Sequence, residues 1–187
     1  MAGLGNPGPR YQDTRHNAGF WWLDEVARSG GVSFKSHSRF HGEVARLELA
    51  GRACWLLKPA TFMNLSGRAV AALAHYYKIP PEAVLVAHDE LDLPPGTARL
   101  KQGGGHGGHN GLRSTMSCLG SSQFLRLRLG IGHPGHKDQV TDYVLGKPAP
   151  AERRAMEQAL AAALGVVPEL LAGDLQRAMH RLHSIPA

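Results

Sequence analysis

Apolar and polar positions along this chain change period several times, and each change predicts an element. From Asn17 to Arg28, Ala18, Trp22, Leu23, Val26 and Ala27 recur three and four apart, the spacing of a helix with one buried side. Leu47 to Leu49 and Ala53 to Leu57 flank Gly51, which predicts a hairpin. Asn64 then stands where a helix cap belongs, ahead of a helix over Leu65 to Lys78 that Ile79-Pro80-Pro81 ends. Val84-Leu85-Val86-Ala87 is continuously apolar, as a strand buried on both faces is, and it delivers His88 and Asp89 at its carboxyl end. Thr97 to Lys101 predicts a further strand, followed by the glycine-rich stretch 103–111 and a helix from about Asn110 to Leu119. Between Phe124 and Ile131 the leucines alternate with Arg126 and Arg128, so the period of two sets both arginines on the face opposite the leucines. From Ala151 onward the pattern is helical, broken or kinked at Pro168, with a last helix near Leu175 to His183. Strands and helices that alternate in this way define an α/β fold. Only Met1 and Ala2 precede Gly3, so a first strand at the centre of such a sheet is expected to be very short, either vestigial or clipped at its start.

Composition narrows the class. At 187 residues, 43% hydrophobic and 19% charged, the chain suits one domain with a sizeable core. No repeat, low-complexity tail or linker divides it. Cys54 and Cys118 are the only cysteines, too few for a disulfide framework or a four-sulfur metal site, and a reducing cytoplasm is the expected home. No apolar run approaches the roughly 20 residues of a membrane helix, and Met1 to Gly8 lacks the regions of a signal peptide. Lys and Arg exceed Asp and Glu by 21 to 15, a net +6 with histidines neutral. Such a surplus draws phosphate polymers with an affinity that weakens as salt rises, although many small proteins are basic without binding one. Eleven histidines add charge at low pH.

Several motifs point toward chemistry that their context does not support. Gly3-Leu4-Gly5-Asn6-Pro7-Gly8 and Gly103-Gly104-Gly105-His106-Gly107-Gly108 both fit the dinucleotide pattern GxGxxG. The first lacks a full leading strand and loses a donor at Pro7, and the second would fit almost any glycine pattern. His106, His109, His133 and His136 suggest zinc, but no cysteine or nearby glutamate completes a tetrahedral set. Gly-x-Ser-x-Gly and Walker A sequences are absent.

What remains is a supply of polar side chains at element ends, where α/β folds build their sites. His16 precedes one predicted helix, Asn64 and Asn110 begin two others, and Asp89 ends a strand. A helix N-terminus disfavours nearby positive charge, so His16 is expected to stay neutral, the form a general base needs. Each also has a plain reading: asparagines as caps, the histidine as structural, Asp89 as a turn residue.

Together with their neighbours these residues resemble one family. Gly-Leu-Gly-Asn-Pro-Gly (3–8), Thr-Arg-His-Asn-Ala-Gly (14–19), Lys-Pro-x-Thr-Phe-Met-Asn-Leu-Ser-Gly (58–67), His-Asp-Glu-Leu-Asp-Leu-Pro-Pro-Gly (88–96), Gly-Gly-Gly-His-Gly-Gly-His-Asn-Gly-Leu-Arg (103–113) and Arg-Leu-Arg-x-Gly-Ile-Gly-His-Pro-Gly (126–135) are similar, in that order, to the bacterial-type peptidyl-tRNA hydrolases. The resemblance runs from Gly3 to about Leu145 and weakens in the C-terminal helices. It implies a single α/β domain over 1–187, a twisted mixed β-sheet sandwiched between α-helices, acting as a monomer with no metal, cofactor or membrane. It implies His16 as catalytic base, supported by Asp89, with Asn64 and Asn110 also in the catalytic set and Asn6 among the site asparagines. Tyr11, Phe62, Met63 and His109 fall with Asn6, Asn64 and Asn110 on the substrate side, and Lys101 and Arg128 match basic positions associated with tRNA phosphates.

The chemistry expected from these assignments is hydrolysis of the ester between peptide and tRNA. His16 takes a proton from water, Asp89 holds its tautomer, and Asn64 or Asn110 donates to the oxyanion. Asn6 reads the peptide backbone, Tyr11 or Phe62 stacks on unpaired bases, and Lys101, Arg126 and Arg128 neutralise phosphates. The competing class is a binding-only RNA factor on the same fold, and a metal hydrolase using the loop histidines is third.

Overall fold

The computed structural model describes residues 1–49 and 51–185. In chain order the elements are β1 (Ala2–Gly3), α1 (Ala18–Ser29), β2 (Lys35–His37), β3 (Gly42–Leu49), β4 (Arg52–Pro59), α2 (Ser66–Tyr76), β5 (Leu85–Glu90), β6 (Ala98–Gln102), α3 (Asn110–Leu119), β7 (Leu125–Gly130), α4 (Val140–Val144), α5 (Pro150–Leu164), α6 (Val167–Ala172) and α7 (Leu175–His183). The strands form one seven-stranded sheet in the order β2-β3-β4-β1-β5-β7-β6. β1 runs parallel to β4 and β5, and β5 parallel to β7, while β2, β3 and β4 are mutually antiparallel and β6 runs against β7. The sheet is therefore mixed, as the family resemblance implies, and the predicted hairpin forms with Leu49 opposite Arg52 across Gly51, whose φ is +74°.

Two apolar layers pin the sheet from either side. On one side Trp22, Leu23 and Val26 of α1, Met156 and Leu160 of α5, and Leu182 of α7 pack on Leu85, Ala87, Leu127 and Leu129. On the other, Val70 and Leu73 of α2 and Leu112 of α3 pack with Leu57, Val86 and Phe124. The alternation of Leu85, Val86 and Ala87 between the two layers explains the unbroken apolar run of β5. Both arginines of β7 lie on the face away from Leu127 and Leu129, with Lys101 opposite Arg126 and Arg99 opposite Arg128 on β6.

Two glycines set the position of α1. A Cβ on Gly19 would lie 2.4 Å from the Ala87 carbonyl oxygen, and one on Gly3 would lie 2.3 Å from the Gly19 oxygen. The first turn of α1 thus rests directly on β1 and β5, a closeness only glycine allows.

Two expectations need correction. Asn64 is not a helix cap: it lies in a 3-10 turn, Met63–Leu65, and α2 starts after it with no side-chain cap. The C-terminal segment Pro150–Ala172 is, by length and composition, apolar enough to span a membrane. Its inner residues Met156, Ala159, Leu160 and Ala163 are buried against the sheet, as in a core helix of a globular protein. Pro168 sits in the first turn of α6, where its missing N–H costs little, so the break falls between Leu164 and Val167. The first strand has two residues, as expected, yet it occupies the middle of the sheet.

Candidate active site

Asp89 is the hub. Strand β5 carries it to the sheet's carboxyl edge, on the side of the strand that Ala87 shares with α1, and it is only 3% exposed. His16 lies in the 3-10 turn Arg15–Asn17 that leads into α1, and its Nδ1 is 2.9 Å from both carboxylate oxygens of Asp89. From the opposite layer His109 brings Nε2 to 2.9 Å from Asp89 Oδ1. One buried carboxylate therefore accepts from two imidazoles.

The hydrogen bonds decide the tautomers. His109 caps α3: its Nδ1 accepts from the backbone N–H groups of Gly111 at 3.1 Å and Leu112 at 3.3 Å. A nitrogen that accepts carries no proton, so His109 is the neutral ring with hydrogen on Nε2, and that N–H donates to Asp89. His16 donates through Nδ1, which leaves its Nε2 lone pair without a partner among the described residues, on a side chain 11% exposed. The cap predicted for Asn110 is thus supplied by His109, and Asn110 is the exposed first residue of α3.

Electrostatics overturn one expectation. Burial pushes the His16 imidazolium toward losing its proton, but the charge of Asp89 and the hydrogen bond to it outweigh burial and raise the pKa above the usual histidine value. The helix start does not hold His16 neutral, because a carboxylate in contact is stronger than a partial dipole charge. Burial would likewise push the Asp89 acid up, but His16 and His109 hold it well below the usual carboxylate range. His88, next in the strand, points to the other side and is driven to about 3 by burial, with His109 adding to the effect. Its Nδ1 donates to the Asp89 carbonyl at 2.7 Å and its buried Nε2 has no partner among the described residues.

The Gly5–Pro7 turn is held by Asn17, which the sequence reading passed over. Asn17 is buried, accepts from the Asn6 N–H at 2.9 Å and donates to the Asn6 carbonyl at 3.0 Å. Asn6 in turn accepts the Met63 N–H on its side-chain oxygen at 2.7 Å, so its amide NH2 is the part left to meet a ligand. Met63 was expected among the substrate contacts. Its side chain is 4% exposed, packed beneath α3 where a Cβ on Gly111 would lie 2.5 Å from the sulfur, and it serves the site through its backbone amide. Phe62 is 56% exposed and meets Tyr11 edge-on with ring centroids 6.0 Å apart. Asn64 and Asn110 are both exposed, at the two elements that the Met63–Gly111 contact joins. An unbroken series of contacts therefore links Tyr11, Phe62, Met63, Asn6, Asn17, His16, Asp89, His109 and Asn110.

The basic residues stand apart. Lys101 is exposed and lies over Gly104. Arg128 is paired with Glu90 through Nε at 2.8 Å, so it is not a free cation as the sequence suggested. Arg126 is 3% exposed and donates to the carbonyls of Gly104 and Gly105, which makes it the brace of the glycine loop rather than a phosphate contact. Of the histidines that suggested zinc, His106 and His133 each accept from an N–H two residues on, closing their own turns. Among the described residues, the group with donor atoms close enough for an ion is His16, Asp89 and His109, within 4.8 Å of one another. Their geometry is that of N–H···O hydrogen bonds, and His109 has its other nitrogen committed to the α3 backbone.

The comparisons with known proteins agree along the whole chain. The family model described as peptidyl-tRNA hydrolase matches residues 1–187. A peptidyl-tRNA hydrolase of Halorhodospira halophila is 58% identical over 184 residues, covering 98% of this chain and 95% of the relative. One from Coxiella burnetii is 56% identical over 184 residues, covering 98% of this chain and 96% of the relative. The crystal structure of the Acinetobacter baumannii peptidyl-tRNA hydrolase superposes with a TM-score of 0.96 at 47% identity, covering 98% of this chain and 93% of that one. With a mixed sheet and connected site residues already in place, these matches settle the family: the chain belongs to the peptidyl-tRNA hydrolases.

Proposed function

We propose that this chain hydrolyses the ester of N-blocked peptidyl-tRNA, freeing tRNA and peptide, with His16 as general base. The observation that carries the reading is the Asp89 carboxylate holding His16 by Nδ1 while Nε2 keeps its lone pair. Water positioned at Nε2 gives up a proton as its oxygen attacks the ester carbonyl carbon. Asp89 stabilises the imidazolium that forms, and the raised pKa of His16 is the same interaction seen at equilibrium. As the tetrahedral intermediate collapses, the imidazolium returns the proton to the departing ribose oxygen. The side-chain amides of Asn64 and Asn110 supply the oxyanion donor and the second contact to water; one such donor is typically worth about 3 kcal/mol.

The free NH2 of Asn6 suits a peptide carbonyl beside the ester, which favours a blocked peptidyl group over a free ammonium. Tyr11 and the exposed Phe62 offer faces to the unpaired acceptor bases. Lys101 neutralises phosphate directly, and Arg128 does so after exchanging Glu90 for it. The chain acts as a cytoplasmic monomer and without a metal. The test is peptide release from N-blocked aminoacyl-tRNA in strong chelator, comparing wild type with His16→Ala. Release by wild type and its loss in the variant, with tRNA binding kept, supports base and metal independence together. Equal tRNA binding with no cleavage by either protein would make the chain a binding factor.

A further inference from the structure

We propose that the cleft at the amino-terminal end of β1, at the opposite end of the sheet from Asp89, is a strand acceptor. It takes an extended apolar segment joined ahead of Met1, running parallel to β4 and β5. The cleft has a volume of about 760 Å³ and is lined on one side by Leu73 and Val84 and on the other by Leu85, Leu125 and Leu171, with Trp55 along its wall.

The register defines the occupant. β4 has eight residues and β5 six, but β1 between them has two, with Ala2 opposite both Leu57 and Val86. β4 is fully paired to β3 on its other side, down to Arg52 opposite Leu49. Its edge toward β1 is engaged only at the top, where Leu57 N–H donates to the Met1 carbonyl at 3.0 Å and the Met1 ammonium donates to the Trp55 carbonyl at 2.7 Å. Because a strand's amides alternate sides with a period of two, the Trp55 N–H and the Ala53 carbonyl face the same empty lane, and the Leu85 N–H faces it from β5. Extending the parallel register places successive residues ahead of Met1 opposite Trp55, Cys54 and Ala53. The lane continues the axis of β1 without a gap, which is why the occupant is a covalent continuation rather than a loose peptide. Apolar walls from both layers require an apolar strand, as they do for β5.

The experiment is a matched pair of extensions of the full chain, Met-Ile-Val-Ile or Met-Gly-Ser-Asp placed ahead of Met1. The apolar extension is expected to raise Tm by about 5 °C over the polar one. It should also protect the Trp55 amide from hydrogen exchange, while peptide release stays unchanged because His16 and Asp89 lie at the other end. Equal Tm values overturn the proposal. So does a higher Tm with the Trp55 amide still unprotected, since the apolar tail would then be packing elsewhere. A free Ile-Val-Ile peptide that gives the unextended chain the same protection would assign the lane to a separate partner and overturn the covalent reading.

Discussion

Replacing Asp89 by Asn changes one atom and should disable the site through a tautomer. The wild-type carboxylate accepts from His16 Nδ1 and His109 Nε2 at 2.9 Å each. An amide has one accepting and one donating end. His109 cannot change its tautomer, because its Nδ1 is held by the N–H groups of Gly111 and Leu112. It therefore claims the Asn oxygen and leaves the NH2 facing His16. His16 must then accept on Nδ1, which moves its proton to Nε2 and removes the lone pair that would take a proton from water. A correctly positioned base contributes about 10²–10⁴-fold, so that is the expected loss in kcat/KM for peptide release. The pH profile adds a second reading. With Asp89 present the His16 pKa is raised, so activity rises with pH as the imidazolium deprotonates above the ordinary histidine range. Without the carboxylate the residual activity should show its acid limb at lower pH. The decisive arm is the double variant Asp89→Asn with His109→Leu: with no rival donor the Asn oxygen can turn to His16, and activity should recover about tenfold over the single variant. A single variant within threefold of wild type, or a double variant weaker than the single, would refute the tautomer argument.

Other outcomes follow from other contacts. Asn17→Ala leaves the buried N–H and carbonyl of Asn6 unpaired, at about 1–3 kcal/mol each, and should lower Tm by 5 °C or more in a thermal melt. Arg128→Ala should weaken all tRNAs alike and flatten the salt slope, whereas Glu90→Gln frees Arg128 and should tighten binding; opposite signs in a salt titration are the check. His183, on the last helix, accepts the Leu100 N–H at 3.0 Å, and its pKa is lowered by partial burial and by Arg99. A folded pKa below the unfolded value gives stability that is present above pH ~6.5 and lost as pH falls through the folded pKa. Hydrogen exchange at Leu100 should therefore quicken on acidification, and His183→Phe should abolish that dependence.

Much of the fold was legible because its elements carry strong periodicities. The α1 face, the doubly buried β5, the alternating β7 and the bounds of α3 all follow from residue spacing. The site was legible as a set of words rather than as geometry. Sequence placed His16 and Asp89 at element ends, but pairing them needed Gly3 and Gly19 to seat α1 on the sheet, a contact between residues far apart in the chain. Asn17 was hidden because an asparagine beside a catalytic histidine reads as a cap. Its signal was its place in Thr-Arg-His-Asn-Ala-Gly, between a buried arginine and a glycine that approaches the sheet. Arg126 and Arg128 looked equivalent by alternation, and only the loop folding over one and Glu90 meeting the other separates them. The charge on His16 was misjudged because a helix start is visible in sequence and a carboxylate contact across 73 positions is not.

The double attachment of His109 ties the assembly of the site to the folding of one helix. While α3 is unwound, nothing holds the proton of His109 on Nε2, and Asp89 lacks its second donor. The reactive tautomer of His16 is therefore reached only in chains that have closed the first turn of α3 over the sheet. Partly folded copies emerging from a ribosome would carry every catalytic side chain and still be inert toward peptidyl-tRNA around them. In this enzyme the last local step of folding works as a switch that turns chemistry on.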